Sequence, residues 1–127
     1  YVLAEFHRVL KSKTGILRIA VPDIHKACLN YVLGRKKFFS KSTIASFDPN
    51  ASVGGLLANW FYSFRGDNLG NGHVHCFDFE YLKYWLELSG FSNVQKMKYR
   101  RSSSIEFTVE GLDMHKNDSL FVEANVK

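Results

Sequence analysis

Residues 1–23 constrain the fold more than any other stretch of the chain. Val2, Leu3, Phe6, Val9 and Leu10 recur at helical spacing and draw one apolar stripe. Lys11, Ser12, Lys13, Thr14 and Gly15 break that pattern, and Ile16–Val21 follows as a short, nearly continuous apolar run that stops at Pro22-Asp23. A run of this kind suits a strand covered on both faces, with neighbours along both edges. Only a helix precedes it here, so the sequence reads as the back portion of an α/β domain whose earlier strands lie outside residues 1–127. The edge of Ile16–Val21 is then expected to be open and apolar, and to drive association into a homodimer or higher oligomer by strand pairing.

The chain has 127 residues, 46% of them hydrophobic and 15% aromatic, which suits one domain with a real core. No run approaches the roughly 18 to 20 apolar residues of a membrane span, and no signal-peptide pattern opens the chain. Cys28 and Cys76 make no disulfide framework, so both are expected reduced and the protein cytoplasmic. The formal charge of +5 comes from small clusters: Lys11 with Lys13, Arg35 to Lys37 with Lys41, and Lys96, Lys98, Arg100 and Arg101. Clusters this short read first as solvated surface, and nucleic acid is not the expected partner.

Beyond Pro22, Asp23 caps a predicted helix on which Ala27, Cys28, Tyr31 and Val32 follow Ile24 at helical spacing, with Gly34 placed to end it. Residues 35–50 read as a connection, and Asp48-Pro49-Asn50 opens a strongly amphipathic helix through Val53, Leu56, Leu57, Trp60, Phe61 and Phe64. A glycine-rich loop over 66–72 leads into His73-Val74-His75-Cys76-Phe77 and a helix from about Asp78 to Gly90. Two late strands are predicted, Val94–Arg100 and Ser119–Val126, their half-polar alternation suiting strands at or near a sheet edge. Ile105–Val109 reads as a short strand. Residues 35–72 form an inserted helical and loop region within a single domain.

Several phrases carry a family resemblance. Glu5-Phe6-His7-Arg8-Val9-Leu10-Lys11 followed by Gly15-Ile16-Leu17-Arg18-Ile19-Ala20-Val21-Pro22-Asp23 resembles the E-x-x-R-V-L-K-x-G-G helix and following strand of class I S-adenosylmethionine-dependent methyltransferases. Residues 72–82 resemble the histidine-containing approach to the next helix in one branch of them. Ser89-Gly90-Phe91-Ser92-Asn93-Val94 resembles their A-G-F-x-x-V, and residues 119–127 their closing S-L-x-V-E-A-x-K strand. The resemblance implies a Rossmann-like seven-stranded sheet whose last strand is antiparallel and inserted beside the fifth. Residues 15–21, 94–100 and 119–126 would be its fifth, sixth and seventh strands. The glycine-rich turn, the acidic residue for the ribose hydroxyls and the loop after the fourth strand would all lie upstream. The glycines of 66–72 follow no buried strand and do not replace them. S-adenosylmethionine is therefore the cofactor of the full-length family, and this chain alone is expected neither to bind it in the family's way nor to be active.

Candidate chemistry centres on Asp23, His73 and His75. Asp23 ends the first strand, where open α/β sheets bring reacting groups; it reads as an acceptor-positioning group or base and equally as a helix cap. In an extended segment His73 and His75 share one face, where they would line the acceptor pocket and accept a proton, bond loop carbonyls, or hold a metal with Cys76 or Asp78. The metal reading lacks ligand spacing. Trp60, Phe61, Tyr62 and Phe64 read as core before they read as an aromatic box. Arg100, Arg101 and Ser102–Ser104 read as a solvated loop or as contacts for an anionic acceptor such as a sugar phosphate. The expected function is methyl transfer to a small molecule such as a sugar or glycan precursor. The alternatives are a non-catalytic binding or scaffold module, or a basic nucleic-acid-binding domain.

Overall fold

The computed structural model describes residues 2–10, 14–40, 50–61 and 75–127. Within them the order is α1 (Val2–Val9), β1 (Ile16–Pro22), α2 (Ile24–Val32), α3 (Lys36–Ser40), α4 (Val53–Phe61), α5 (Phe79–Leu88), β2 (Phe91–Met97), a 3-10 turn (Ile105–Thr108) and β3 (Ser119–Val126). The class is mixed α/β. Its sheet has three strands in the order β1-β3-β2, and β3 runs antiparallel to both neighbours. β1 and β2 therefore point the same way.

The period-two pattern of β3 dictates how the sheet is covered. Leu120, Val122, Ala124 and Val126 face Val21, Ile19 and Leu17 of β1 on one side of the sheet, where Leu82, Leu86 and Phe91 complete the main core. Leu3 and Leu10 reach that core, but the rest of the α1 stripe does not: Val2 and Val9 are each 64% exposed. The other side carries Arg18, Phe121 and Glu123, and Phe121 and Glu123 are buried. There the polar excursion of 98–118 covers the sheet. The helices α2, α3 and α4 form a second core around Ala27, Phe39, Leu56 and Trp60.

Both predicted aspartate caps are present. Asp23 Oδ1 accepts from the Lys26 amide, and the Asp78 carboxylate accepts from the Tyr81 amide at 2.8 Å. Three expectations are corrected. The sixth-strand segment runs over Phe91–Met97 rather than 94–100, because the chain enters the sheet directly from Gly90. Ile105–Thr108 is a 3-10 turn, with Ile105 80% exposed and no strand among the described residues pairing with it. And β3 is the central strand, its Glu123 held by the buried ion pair with Arg18 instead of solvent. The helix start at Asp48 lies outside the described residues; α4 itself is capped by Ser52, whose Oγ accepts from the Gly55 amide at 3.0 Å.

Gly90 ends α5 with φ +96°, and a Cβ built there would lie 2.8 Å from His7 Nε2. His7 in turn meets the Phe91 ring edge-on at 5.4 Å, so the helix stop, α1 and the core touch at one point. Gly90→Ala combines a left-handed backbone with a clash and is expected to cost about 2 kcal/mol. Urea denaturation measures this, and adding His7→Ala should recover part of the loss. Full additivity of the two changes would contradict the contact.

Candidate functional site

β1 and β2 end on the same side of the sheet, and β3 begins there. Pro22 pairs with Ser119, and Met97 pairs with Phe121. Asp23 continues β1 and is fixed on both sides by backbone: its amide donates to the Asp118 carbonyl at 2.9 Å, and it forms a parallel bridge with Phe77. The Phe77 amide donates to the Pro22 carbonyl at 3.1 Å, and the Ile24 amide donates to the Phe77 carbonyl at 3.0 Å. This bridge covers only the last residues of β1. Along the rest of β1 no strand pairs with the edge away from β3 among the described residues.

Asp23 is 1% exposed. One carboxylate oxygen caps α2. The other, Oδ2, is buried, has no hydrogen-bond partner among the described residues and sits 3.9 Å from Lys26 Nζ. That ammonium also donates to the Ser119 carbonyl, so it straddles the gap between α2 and the start of β3. The cap and positioning readings of Asp23 thus coexist in one side chain: one oxygen holds the helix, and the other can accept a proton or hydrogen bond. His75 is exposed, and its ring lies 6.1 Å from that of Phe77. The bridge brings Phe77, two residues after His75, to the carboxyl end of β1. His73 lies outside the described residues, as do Tyr62 and Phe64. Trp60 is core, at 1% exposure. Burial pushes the Cys76 thiol up, with Cys28 adding to the effect, which suits an inert thiol. Among the described residues no group of three or more His, Cys, Asp or Glu side chains is placed to hold a metal ion, and no helix is long and apolar enough to cross a membrane.

On the far side of Ser119 lies a cleft to which the sequence points only through Arg101, with no sign that Lys26 and Lys116 join it. The cleft, of about 420 Å³, is lined by Lys26, Lys96, Lys98, Arg101 and Lys116 together with Tyr99, and no carboxylate lines it. Arg18 does not line it but holds the backbone of two residues that do. The guanidinium makes a two-pronged pair with Asp113, Nε to Oδ1 at 2.9 Å and Nη2 to Oδ2 at 2.6 Å, and donates to Glu123 Oε1 at 2.7 Å. It also donates to the Lys98 and Arg101 carbonyls, at 3.2 and 3.1 Å. The Arg100 amide donates to Asp113, and Ser103 donates to Glu123 through both its amide and its hydroxyl. The buried acids are therefore consumed by Arg18 and the loop backbone, and the backbone that bears Lys98 and Arg101 is pinned. Of the residues read as contacts for an anionic acceptor, Arg101 lines the cleft, whereas Arg100 pairs with Glu110 and Ser103 is spent on Glu123. The sequence signal for the buried network is an arginine inside an apolar strand, which needs buried acceptors.

No family model matches the chain, and no curated protein or solved structure matches it.

Proposed function

We infer that residues 1–127 form the acceptor-side half of a class I S-adenosylmethionine-dependent methyltransferase acting on a small molecule such as a sugar or glycan precursor. The observation that carries this reading is the strand order. A last strand running antiparallel and hydrogen-bonded to the would-be fifth strand is the arrangement the resemblance implies for the end of that sheet. The edge of β1 away from β3, along which no strand pairs among the described residues, and the exposed outer stripe of α1 support a larger sheet, since both are surfaces that further strands and helices bury.

The residues described do not fit the cofactor. β1 runs into Pro22-Asp23 and α2, and neither β2 nor β3 opens a glycine-rich turn into a helix. Donor binding falls to the other half of the fold. This half would hold the acceptor at the carboxyl ends of β1 and β2. Asp23 Oδ2 would orient or deprotonate an acceptor hydroxyl, with Lys26 balancing its charge, and His75 would offer a second proton acceptor at the rim.

The test is the reading frame upstream of Tyr1, joined to a transfer assay. A glycine-rich strand-turn-helix encoded there, and labelled methyl transfer by the longer product, are expected. A longer product without that element, or with it but without transfer to any sugar-containing fraction, overturns the reading. Residues 1–127 alone are expected to self-associate in light scattering and to show no tight S-adenosylmethionine binding by calorimetry. A monodisperse monomer, or stoichiometric cofactor binding by this half, contradicts the incomplete sheet.

A further inference from the structure

We propose that the cleft between the α2 start, the β2 end and the 113–118 turn is a binding site for a small phosphate-bearing ligand, a sugar phosphate or a nucleoside-diphosphate sugar. The charges that line it come from three separate parts of the chain: Lys26 from α2, Lys96, Lys98 and Arg101 from the end of β2 and the residues after it, and Lys116 from the turn before β3. Like charges brought together repel one another, so their convergence on one concavity raises the positive potential there and favours an anion. Lys96, Lys98, Arg101 and Lys116 make no ion pair among the described residues. Asp23 lies 3.9 Å from Lys26 Nζ, but Asp113 and Glu123 are held by Arg18 and Glu110 pairs with Arg100, so none of these acids pairs with the other four cations. Lys116 Nζ lies 5.6 Å from the centroid of the Tyr99 ring, which steadies a side chain that no carboxylate holds.

Size and shape choose a small ligand over a polymer. About 420 Å³ is within the range of sites for metabolites, whereas a nucleic acid is gripped along a track of phosphates. A second cleft beyond Asn30 and Asn117 carries Arg35, Lys36 and Lys37, but Lys36 and Lys37 already make contacts of their own. The proposal stands on the cleft and does not need the methyltransferase reading. If both hold, the phosphate anchors the acceptor beside Lys26 while its hydroxyl approaches Asp23.

Calorimetry and amide-shift mapping on the chain at low ionic strength supply the test, with pyrophosphate, glucose 1-phosphate, UDP-glucose and a single-stranded oligonucleotide as probes. Saturable one-site binding of pyrophosphate is expected, with shifts at Lys98, Arg101 and Ser119. Tighter binding of glucose 1-phosphate or of UDP-glucose tells which source the site prefers. Lys98→Gln with Arg101→Gln removes two exposed cations without touching the carbonyls that Arg18 uses, so the melting transition should stay in place. Binding should weaken roughly tenfold per lost cation. Lys36→Gln with Lys37→Gln should leave pyrophosphate binding unchanged. The proposal is overturned by absent saturation, by shifts that avoid the cleft, or by Lys98→Gln/Arg101→Gln binding like the parent. It is also overturned if the oligonucleotide alone binds, with a steep salt dependence and a requirement for Lys36 and Lys37.

Discussion

Asp113→Ala is expected to destabilise the protein by about 3–5 kcal/mol, the cost of leaving a buried charge without its partner. For a domain of this size that is a fall in melting temperature of roughly 10–20 °C. The Arg18 and Asp113 side chains are 5% and 4% exposed, and the alanine would strand the guanidinium with only Glu123 and two carbonyls. It would also free the Arg100 amide, so the 98–118 excursion should loosen from the sheet. Arg18→Met should cost a similar amount, by leaving two carboxylates unpaired. Removing all three charges together with apolar residues should cost less than either single change. The same network sets an acid limit. The hydrogen bond from Arg18 holds the Asp113 carboxyl below its ordinary range. Burial opposes the charge on Glu123, yet hydrogen bonds from Ser102, Ser103 and Arg18 outweigh it and hold that carboxyl low as well. A carboxyl depressed by folding contributes stability that is complete above its unfolded value, about 4, and is lost as pH falls through the lower folded value. Stability should therefore decline below about pH 4 in the parent and decline less steeply in the triple apolar variant. Equal acid slopes in the two would count against the network.

What the sequence made legible was local. Asp23 and Asp78 could be placed as caps because a cap acts over three residues, and Leu120, Val122, Ala124 and Val126 declared an inward face by simple alternation. β2 lies three residues earlier than its pattern suggests, because alternation fails within it. Asn93 has φ +50°, and the ladder with β3 shifts register between Ser92 and Gln95, so the inward and outward sides do not alternate cleanly. Arg18 lies opposite Glu123 across the strands and 95 residues from Asp113. No window along the chain contains such a pair. The cleft failed to show for the same reason. Lys96, Lys98 and Arg101 look like an ordinary solvated cluster until Lys26 and Lys116 are folded against them.

Trp60→Ala is expected to cost about 3–5 kcal/mol, and the more informative result is where that loss appears. Trp60 and Phe39 are the largest side chains of the helical core, which shares no buried residue with the core of the sheet. α2 joins the two: it is tied to the sheet by Asp23 and Ile24 backbone bonds and by Lys26 on Ser119, while its Ala27 faces Phe39, Leu56 and Trp60. Emptying the helical core should lower amide-exchange protection in α2 and α4 and spare β3, whose amides answer to the main core. Leu86→Ala, on the sheet side, should lower protection in both, because α2 has nothing to dock on once β1 and β3 separate. Uniform loss after Trp60→Ala would make the molecule one cooperative unit. The expected asymmetry has a functional edge. Lys26 belongs to α2, so an anion in the cleft should restore part of the α2 protection that Trp60→Ala removes. The ligand would then be binding across the seam between the two cores.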